Sequence, residues 1–332
     1  MNNNLISIVI PVYNAQKTIL DCLKHCLSQD YAGDYEIIVI DDGSSDDSAK
    51  IIKSFGEKIK YIFQENAGPA RARNTGWKNS LGEIVIFTDS DCLVPENWLK
   101  KLLTGFESDE KIAVVQGSYD IANKGNLVAE IINFDIREKH KKMPKLIKNL
   151  ASYNIAVKKG VLEEVDGFST SFLAPSAEDT DLSYRIIKLG YKIAFVYDSQ
   201  VAHYHTETLN KYLKEQSRHG YWRIKLYKDH PKMLTGDSYT GQNEMIQTIG
   251  SGLVFVNILL LILELIIFQS AYSGWVLLAL IVIVYLTELP RCLKMVKIKK
   301  NLKYLAFVEV MFLRSLWRTG GFIRGLINYF RI

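Results

Sequence analysis

Cysteine and proline are scarce in this 332-residue chain, with four and seven copies. Cys22, Cys26, Cys92 and Cys292 show neither the spacing of a disulfide framework nor that of a zinc site. Cysteine used this way implies a reducing, cytosolic setting. Cys22 and Cys26 lie one helical turn apart beside His25, which is open to a metal reading, but small apolar residues on a buried helix face account for them. After the first apolar run no Gly-x-Gly-x-x-Gly follows, only Asn-Ala-Gln-Lys-Thr from Asn14, so the dinucleotide fingerprint is excluded. No secretory leader is expected either, because polar Met1–Asn4 leads directly into a strand. Charge of one sign is in small excess, net +5. The cations gather in Lys211–Lys232 and Arg291–Arg331, beside apolar segments, which suits membrane lipids and gives no reason to expect nucleic acid.

Apolar residues are unevenly spread, and most of the excess lies after Ile249. This predicts an α/β catalytic domain over residues 1–230 and a membrane region over 231–332. Ser7–Val12, Glu36–Ile40, Lys60–Phe63 and Ile84–Phe87 read as buried strands. Between them, Ala15–Ser28 and Pro69–Ser80 read as helices, and Ser44 or Ser45 is placed to cap another. Such alternation predicts a mainly parallel sheet covered on both faces. A helix is expected over Glu96–Phe106, strands over Ala113–Tyr119 and Tyr153–Val157, and a helix over Asp179–Leu189. Two short strands, Lys192–Val196 and Gln200–His203, follow, then an interfacial helix over Leu209–Tyr227.

Ile249–Phe268 and Gly274–Leu289 approach the ~20 apolar residues that cross a bilayer. The turn Gln269–Ser273 is uncharged, whereas Lys225, Lys228 and Lys232 precede the first span and Arg291, Lys294, Lys297, Lys299 and Lys300 follow the second. The asymmetry predicts a multi-pass hairpin in the cell membrane, with both ends and the catalytic domain cytoplasmic. Glu264 falls near the far end of its span, placed to snorkel or to face Gly and Ser neighbours. The tail 302–332 reads as an amphipathic helix pair on the cytoplasmic leaflet, since a third crossing would bury several arginines at ~2.5–3.5 kcal/mol each.

Ligands of an open parallel sheet bind at the carboxyl ends of its strands. Three such ends carry unusual groups here: Pro11-Val-Tyr-Asn14, Asp41-Asp-Gly-Ser44 and Asp89-Ser-Asp91. In an extended turn Asp89 and Asp91 can face one hard cation, Mg²⁺ or Mn²⁺, which would offset the charge of a diphosphate leaving group. These motifs, with Asn66-Ala-Gly-Pro-Ala-Arg-Ala-Arg-Asn74, Val165-Asp-Gly-Phe168 and Glu178-Asp-Thr-Asp-Leu-Ser-Tyr-Arg185, resemble in order and spacing the family 2 glycosyltransferases of GT-A fold. The resemblance covers about Leu5–Tyr227.

The resemblance implies a Rossmann-like mixed sheet, a nucleotide-diphosphate sugar donor and a set of roles. Pro11 and Tyr13 would line the base pocket, Asp41 would bond the base, and Arg73 would contact base or diphosphate. Asp89 would reach the ribose and the metal's water shell, and Asp91 would coordinate the metal. A further histidine ligand is implied, His203 first and His205 second. Asp179 would be the general base of an inverting transfer, placed at a helix start that favours a carboxylate; helix capping and an Asp181–Arg185 pair are compatible with that role. Gln216-Ser-Arg218-His-Gly-Tyr-Trp222 departs from the Gln-x-x-Arg-Trp of processive relatives, which argues for single transfer, with Arg218 on a diphosphate or lipid phosphate.

Two other readings fit the sequence less well. A haloacid-type phosphatase carries its acid pair on the first core strand, not the fourth. A non-catalytic scaffold would not be expected to retain Asp41, Asp89, Asp91 and Asp179 together. A polyprenyl-phosphate acceptor needs no base, so the acid pair favours a hydroxyl on a glycan or lipid-linked acceptor.

Overall fold

The computed structural model describes residues 5–172, 176–231, 242–267 and 272–330. They form two compact units: residues 5–124 and 135–205, and residues 125–134, 206–231 and 242–330.

One sheet organises the first unit. Its strands are β1 (Ile6–Val12), β2 (Tyr35–Asp42), β3 (Lys60–Gln64), β4 (Ile84–Thr88), β5 (Cys92–Leu93), β6 (Ile112–Ile121), β7 (Leu146–Ile147), β8 (Asn154–Lys158) and β9 (Lys192–His203). The spatial order is β3-β2-β1-β4-β8-β6-β9-β5, with β7 also on β9. The first four strands are parallel, β8 runs antiparallel between β4 and β6, and β6 is parallel to β9. In β1 and β2 successive side chains enter different cores: Ile8, Ile10, Ile37 and Val39 on one face, Val9, Ile38 and Ile40 on the other. That is why both strands read as unbroken apolar runs, and each buried Ile contributes about 1.5–3 kcal/mol.

The helices of this unit are α1 (Ile19–Leu27), α2 (Ser48–Lys53), α3 (Pro69–Lys78), α4 (Trp98–Leu103), the C-terminal half of α5 (Leu127–His140), α6 (Lys159–Glu164) and α7 (Glu178–Lys188). Ile19, Leu23, Ile52, Trp98 and Leu102 from α1, α2 and α4 cover one face. Ala70, Trp77, Leu162, Leu182 and Ile186 from α3, α6 and α7 cover the other. Cys22 and Cys26 are fully buried on α1, and Nδ1 of His25 bonds the Val94 carbonyl at 2.9 Å.

Local departures from the sequence expectation have physical causes. The expected caps Ser44 and Ser45 do not cap α2, which starts at Ser48 after Asp47. Instead Ser44 Oγ accepts the Asn14 amide and the Ser45 amide donates to Asn14 Oδ1, lacing two strand ends together. The two short strands expected over 192–203 fall in one continuous strand, which pairs with β6 over Lys192–Phe195 and Gln200–His203 and bulges between them where the register shifts from Gln116 to Ser118. The helix expected over 96–106 is α4, which tightens into a 3-10 turn over Thr104–Ser108.

The second unit is helical: the start of α5, α8 (Leu209–Asp229), α9 (Gln242–Ile267), α10 (Tyr272–Lys299) and α11 (Ala306–Phe330). The tail is one helix after a short 3-10 turn at Leu302–Leu305, not a pair, and α11 packs along α8. At the crossing, a Cβ on Gly220 would lie 1.9 Å from the Arg318 carbonyl oxygen, and one on Gly321 1.9 Å from that of Ser217. Only glycine permits this backbone contact. Ile249–Ile267 and Ser273–Lys299 are long and apolar enough to cross a membrane, with only 12% and 17% of their apolar windows buried, unlike the core helix of a soluble protein. The expected turn Gln269–Ser273 lies largely outside the described residues, but Glu264 accepts the Ser273 amide at 2.8 Å and so caps the start of α10. Glu130 of α5 takes Lys299 Nζ at 2.6 Å and the Tyr304 hydroxyl.

Candidate active site

The carboxyl ends of β1, β2 and β4 converge as expected of a parallel sheet. Pro11 is half-buried at the end of β1, and Tyr13 just beyond it is 55% exposed. Asp41 is fully buried; its carboxylate accepts the Ser44 amide at 2.9 Å and the Tyr61 hydroxyl at 2.7 Å. Burial, then the Asp41 carboxylate, pushes the Tyr61 phenol up to about 12. Asp42 accepts the Ala67 and Gly68 amides, both at 2.9 Å, and thereby fixes the loop that starts α3. Pro69 at the first turn suits that start.

The Cys92 amide bonds the Asp89 carbonyl at 3.0 Å, so Asp89–Cys92 makes the expected turn, and the two carboxylates have different partners. Asp89 Oδ1 meets Nη2 of Arg73 at 2.9 Å. Asp91 Oδ1 lies 3.3 Å from Nε2 of His203. The two-residue strand β5 accounts for the second pair, because it sets Cys92 opposite His203 on β9.

His203 Nδ1 lies 3.1 Å from His205 Nδ1, so a single proton is shared between the rings. Burial, then the nearby His203, lowers the His205 imidazole to about 3, which leaves it neutral. Asn123 holds the backbone of His205 on both sides, at 2.8 and 3.0 Å. In neutral His203 with its proton on Nδ1, Nε2 turns a lone pair toward Asp91, whereas protonated His203 donates from Nε2 to that carboxylate. Burial alone would raise the Asp91 carboxyl, but the His203 ring outweighs it and holds the group below the usual range.

These residues fit a cation. Asp91 Oδ1 is shielded from water and takes no hydrogen bond among the described residues, although it faces a ring nitrogen. Donor atoms of Asp91, Cys92 and His203 lie within 4.8 Å of one another. A carboxylate and an imidazole suit a hard or borderline divalent ion, and a thiol adds little for Mg²⁺ or Mn²⁺.

Asp179 opens the first turn of α7. Its Oδ1 accepts the Thr180 amide at 2.8 Å, and the side chain is half-buried. Burial, then the adjacent Glu178 carboxylate, pushes the Asp179 carboxyl up to about 7 against the pull of the Thr180 amide and Arg73. Glu178 is buried: one oxygen meets Arg73 Nη1 at 3.2 Å, and the other accepts the Ser176 amide at 2.8 Å. Asp181 bonds Arg185 Nε at 2.8 Å, as the one-turn spacing predicts. Asn74 bonds both backbone groups of Phe168, at 2.7 and 2.8 Å, and so ties the 165–168 loop to α3. In that loop Gly167 adopts φ +62° with no room for a Cβ beside Asn74 and Trp77. Arg218 lies on α8 of the second unit.

Residues 7–166 match the model of Glycosyl transferase family 2. Those residues carry a Glycosyl transferase family 2 domain. It is 29% identical to the glycosyltransferase AglE of Haloferax volcanii over 230 residues, 67% of this chain and 74% of that one. It is 35% identical to the glycosyltransferase GlyG of Streptococcus pneumoniae over 122 residues, 36% of this chain but only 40% of that protein's length. The mannosyltransferase PcManGT of Pyrobaculum calidifontis, solved with GDP-Man and Mn²⁺, superposes with a TM-score of 0.60 over 97% of this chain and 87% of that one. At 16% identity it shows the fold, which is GT-A.

Sequence reasoning missed three partners of the glycosyltransferase site: half-buried Tyr61 on Asp41, buried Cys92 beside Asp91, and half-buried Asn123 behind His205. The His-x-His spacing at 203 and 205 was the one local signal.

Proposed function

We propose that the chain transfers a sugar, with inversion, from a nucleotide-diphosphate sugar to a hydroxyl of a glycan or lipid-linked acceptor at the cytoplasmic membrane face. The observation that carries this reading is Asp179. A half-buried carboxyl with a pKa raised to about 7 is a base matched to neutral pH. Asp179 takes the acceptor proton as the hydroxyl oxygen bonds the anomeric carbon and the bond from that carbon to the diphosphate breaks on the opposite face. The side chain then returns its proton to solvent.

Asp91 and His203 would hold Mg²⁺ or Mn²⁺, and Pro11, Tyr13 and Asp41 would shape the base pocket. When bound, the ion offsets the charge of the departing diphosphate. The GDP-Man and Mn²⁺ of the Pyrobaculum enzyme are in keeping with this chemistry. Spans α9 and α10 would anchor the protein as a hairpin, and Arg218 would meet a phosphate of donor or lipid. The test is release of nucleoside diphosphate by the full chain from a panel of nucleotide sugars with glycan and glycolipid acceptors. Release should need both acceptor and Mn²⁺ or Mg²⁺. Undiminished release in chelator would remove the metal from the scheme.

A further inference from the structure

Arg73 is one of the most buried charged groups in the first unit, 4% exposed. Its two terminal nitrogens are both engaged, Nη2 with Asp89 at 2.9 Å and Nη1 with Glu178 at 3.2 Å. Its Cζ sits 5.5 Å from the centre of the Phe168 ring, and Nε makes no hydrogen bond among the described residues. Phe168 in turn packs edge-on to Phe87 of β4, with ring centres 5.2 Å apart. A guanidinium enclosed this way has no face left for a diphosphate. What it does have is one carboxylate at the end of β4, where the donor would lie, and another at the start of α7, next to the base.

We propose that Arg73 is a positioning residue that links the donor end of the site to the base, holding Asp89 in place on one side and the Glu178–Asp179 turn on the other. The proposal rests on Asp179 being the base. A buried arginine bridging two acids is costly to break, because Glu178 is then left buried with its charge answered, among the described residues, only by the Ser176 amide, while half-exposed Asp89 is released toward water. The bridge therefore fixes the distance between donor and acceptor sites more firmly than the loops alone. The charged groups around Asp179 are Glu178 on its own helix and Arg73 on α3, with Asp89 reached through Arg73; Asp181 is turned to Arg185.

The test compares R73M and R73K in the full chain. Binding of UDP and GDP with Mn²⁺ is measured by calorimetry, and turnover by nucleotide release from pH 5.5 to 9. In R73M the rising limb of kcat against pH should move up by about one unit, the low end of what loss of a nearby opposite charge does to a carboxyl. Turnover at pH 7 and saturating donor should fall about 10–100-fold, the scale of a displaced catalytic geometry, with nucleotide affinity within about threefold of wild type. R73K, which keeps the charge but not the two-pronged geometry, should recover the limb more fully than the rate. Nucleotide affinity weakened tenfold or more with an unmoved limb would make Arg73 a donor ligand and overturn the proposal. Should R73M fail to fold, R73K decides by rate against affinity: turnover lowered with nucleotide affinity kept supports positioning, and affinity weakened tenfold or more overturns it. D179N separates the premise: full turnover in D179N removes the base, whereas an inactive D179N with an unmoved limb in R73M, or with nucleotide affinity lost in R73K, sinks only the role of Arg73.

Discussion

Asp179→Asn should make the enzyme both slower and more stable, and the two effects have one origin. Burial and Glu178 lift the Asp179 carboxyl from 3.8 to about 7. A folded-state pKa above the unfolded one means that the folded form holds its proton where the unfolded form has lost it. Stability therefore falls as pH rises from about 3.8 to about 7 and stays lower beyond. At 1.36 kcal/mol per unit, the full shift corresponds to roughly 4 kcal/mol as an upper limit. The side chain is half-buried and shares its titration with Glu178, so about 1–2 kcal/mol is the expected gain for the neutral amide at pH 8. Near pH 4 the gain should vanish. Turnover should fall about 10²–10⁴-fold, or about 3–5 kcal/mol of barrier. Thermal unfolding of purified protein at pH 4.5, 6 and 8 reads the first effect, and nucleotide release the second. Calorimetry should find metal and nucleotide affinity unchanged. A variant no more stable at pH 8 than wild type would refute the raised pKa. Turnover within a few-fold of wild type would shift the acceptor to an already ionised group such as a polyprenyl phosphate.

Other substitutions test separate parts of the structure. Asp91→Ala should abolish Mn²⁺ binding by calorimetry and turnover at all practical Mn²⁺ concentrations while leaving the circular dichroism spectrum intact; normal turnover would exclude Asp91 as a ligand. His205→Ala should weaken Mn²⁺ affinity about 10–100-fold, because the ring that orients His203 is lost; unchanged affinity would show that His203 is held some other way. Gly321→Leu should lower the midpoint of thermal unfolding by an amount equal to about 1–3 kcal/mol or more, since its Cβ would strike the Ser217 carbonyl. Impermeant thiol labelling in a Cys-free background should mark Ser270→Cys from outside and Lys297→Cys only after permeabilisation; the reverse pattern would overturn the hairpin topology.

Most of the sheet was legible because its strands are buried on both faces, so apolar content alone marks β1, β2 and β4. Strand-end acids were legible too, since polar residues at the end of an apolar run stand out. What was not legible depends on residues distant in sequence. Asp91 meets His203 only because β5, two residues long, pairs with the end of β9. No periodicity can announce so short a strand. Helix α5 was missed because Glu130, Asn133 and Asp135 interrupt its apolar pattern, and all three are buried. In Glu130 the polar group answers a partner 169 residues away, Lys299, which no local rule anticipates. Ser44 and Ser45 mislead for a related reason: a serine can cap a helix or cross-brace a loop, and the choice here is made by Asn14.

The failures of local expectation therefore concentrate where chain segments far apart must agree, and the site is the clearest case. Asp41 on β2, Arg73 on α3 and Glu178 on α7 are buried charged groups beside a core filled largely by Ile, Val and Phe. Each is satisfied by one or two specific partners: Ser44 and Tyr61 for Asp41, Asp89 and Glu178 for Arg73. A neutral, apolar core of similar volume would be no less stable and would need no such matching. What the ionic row provides is a defined arrangement of charge along one sheet edge, in which Arg73 pairs directly with two acids and acts on a third, Asp179, through its charge. Burial beside an already satisfied Glu178 then does the rest, and raises Asp179 into the range where it can take up and release a proton at neutral pH. The stability lost at Asp179 is thus the direct counterpart of its reactivity, which is why a stabilising substitution at that position should be an inactivating one.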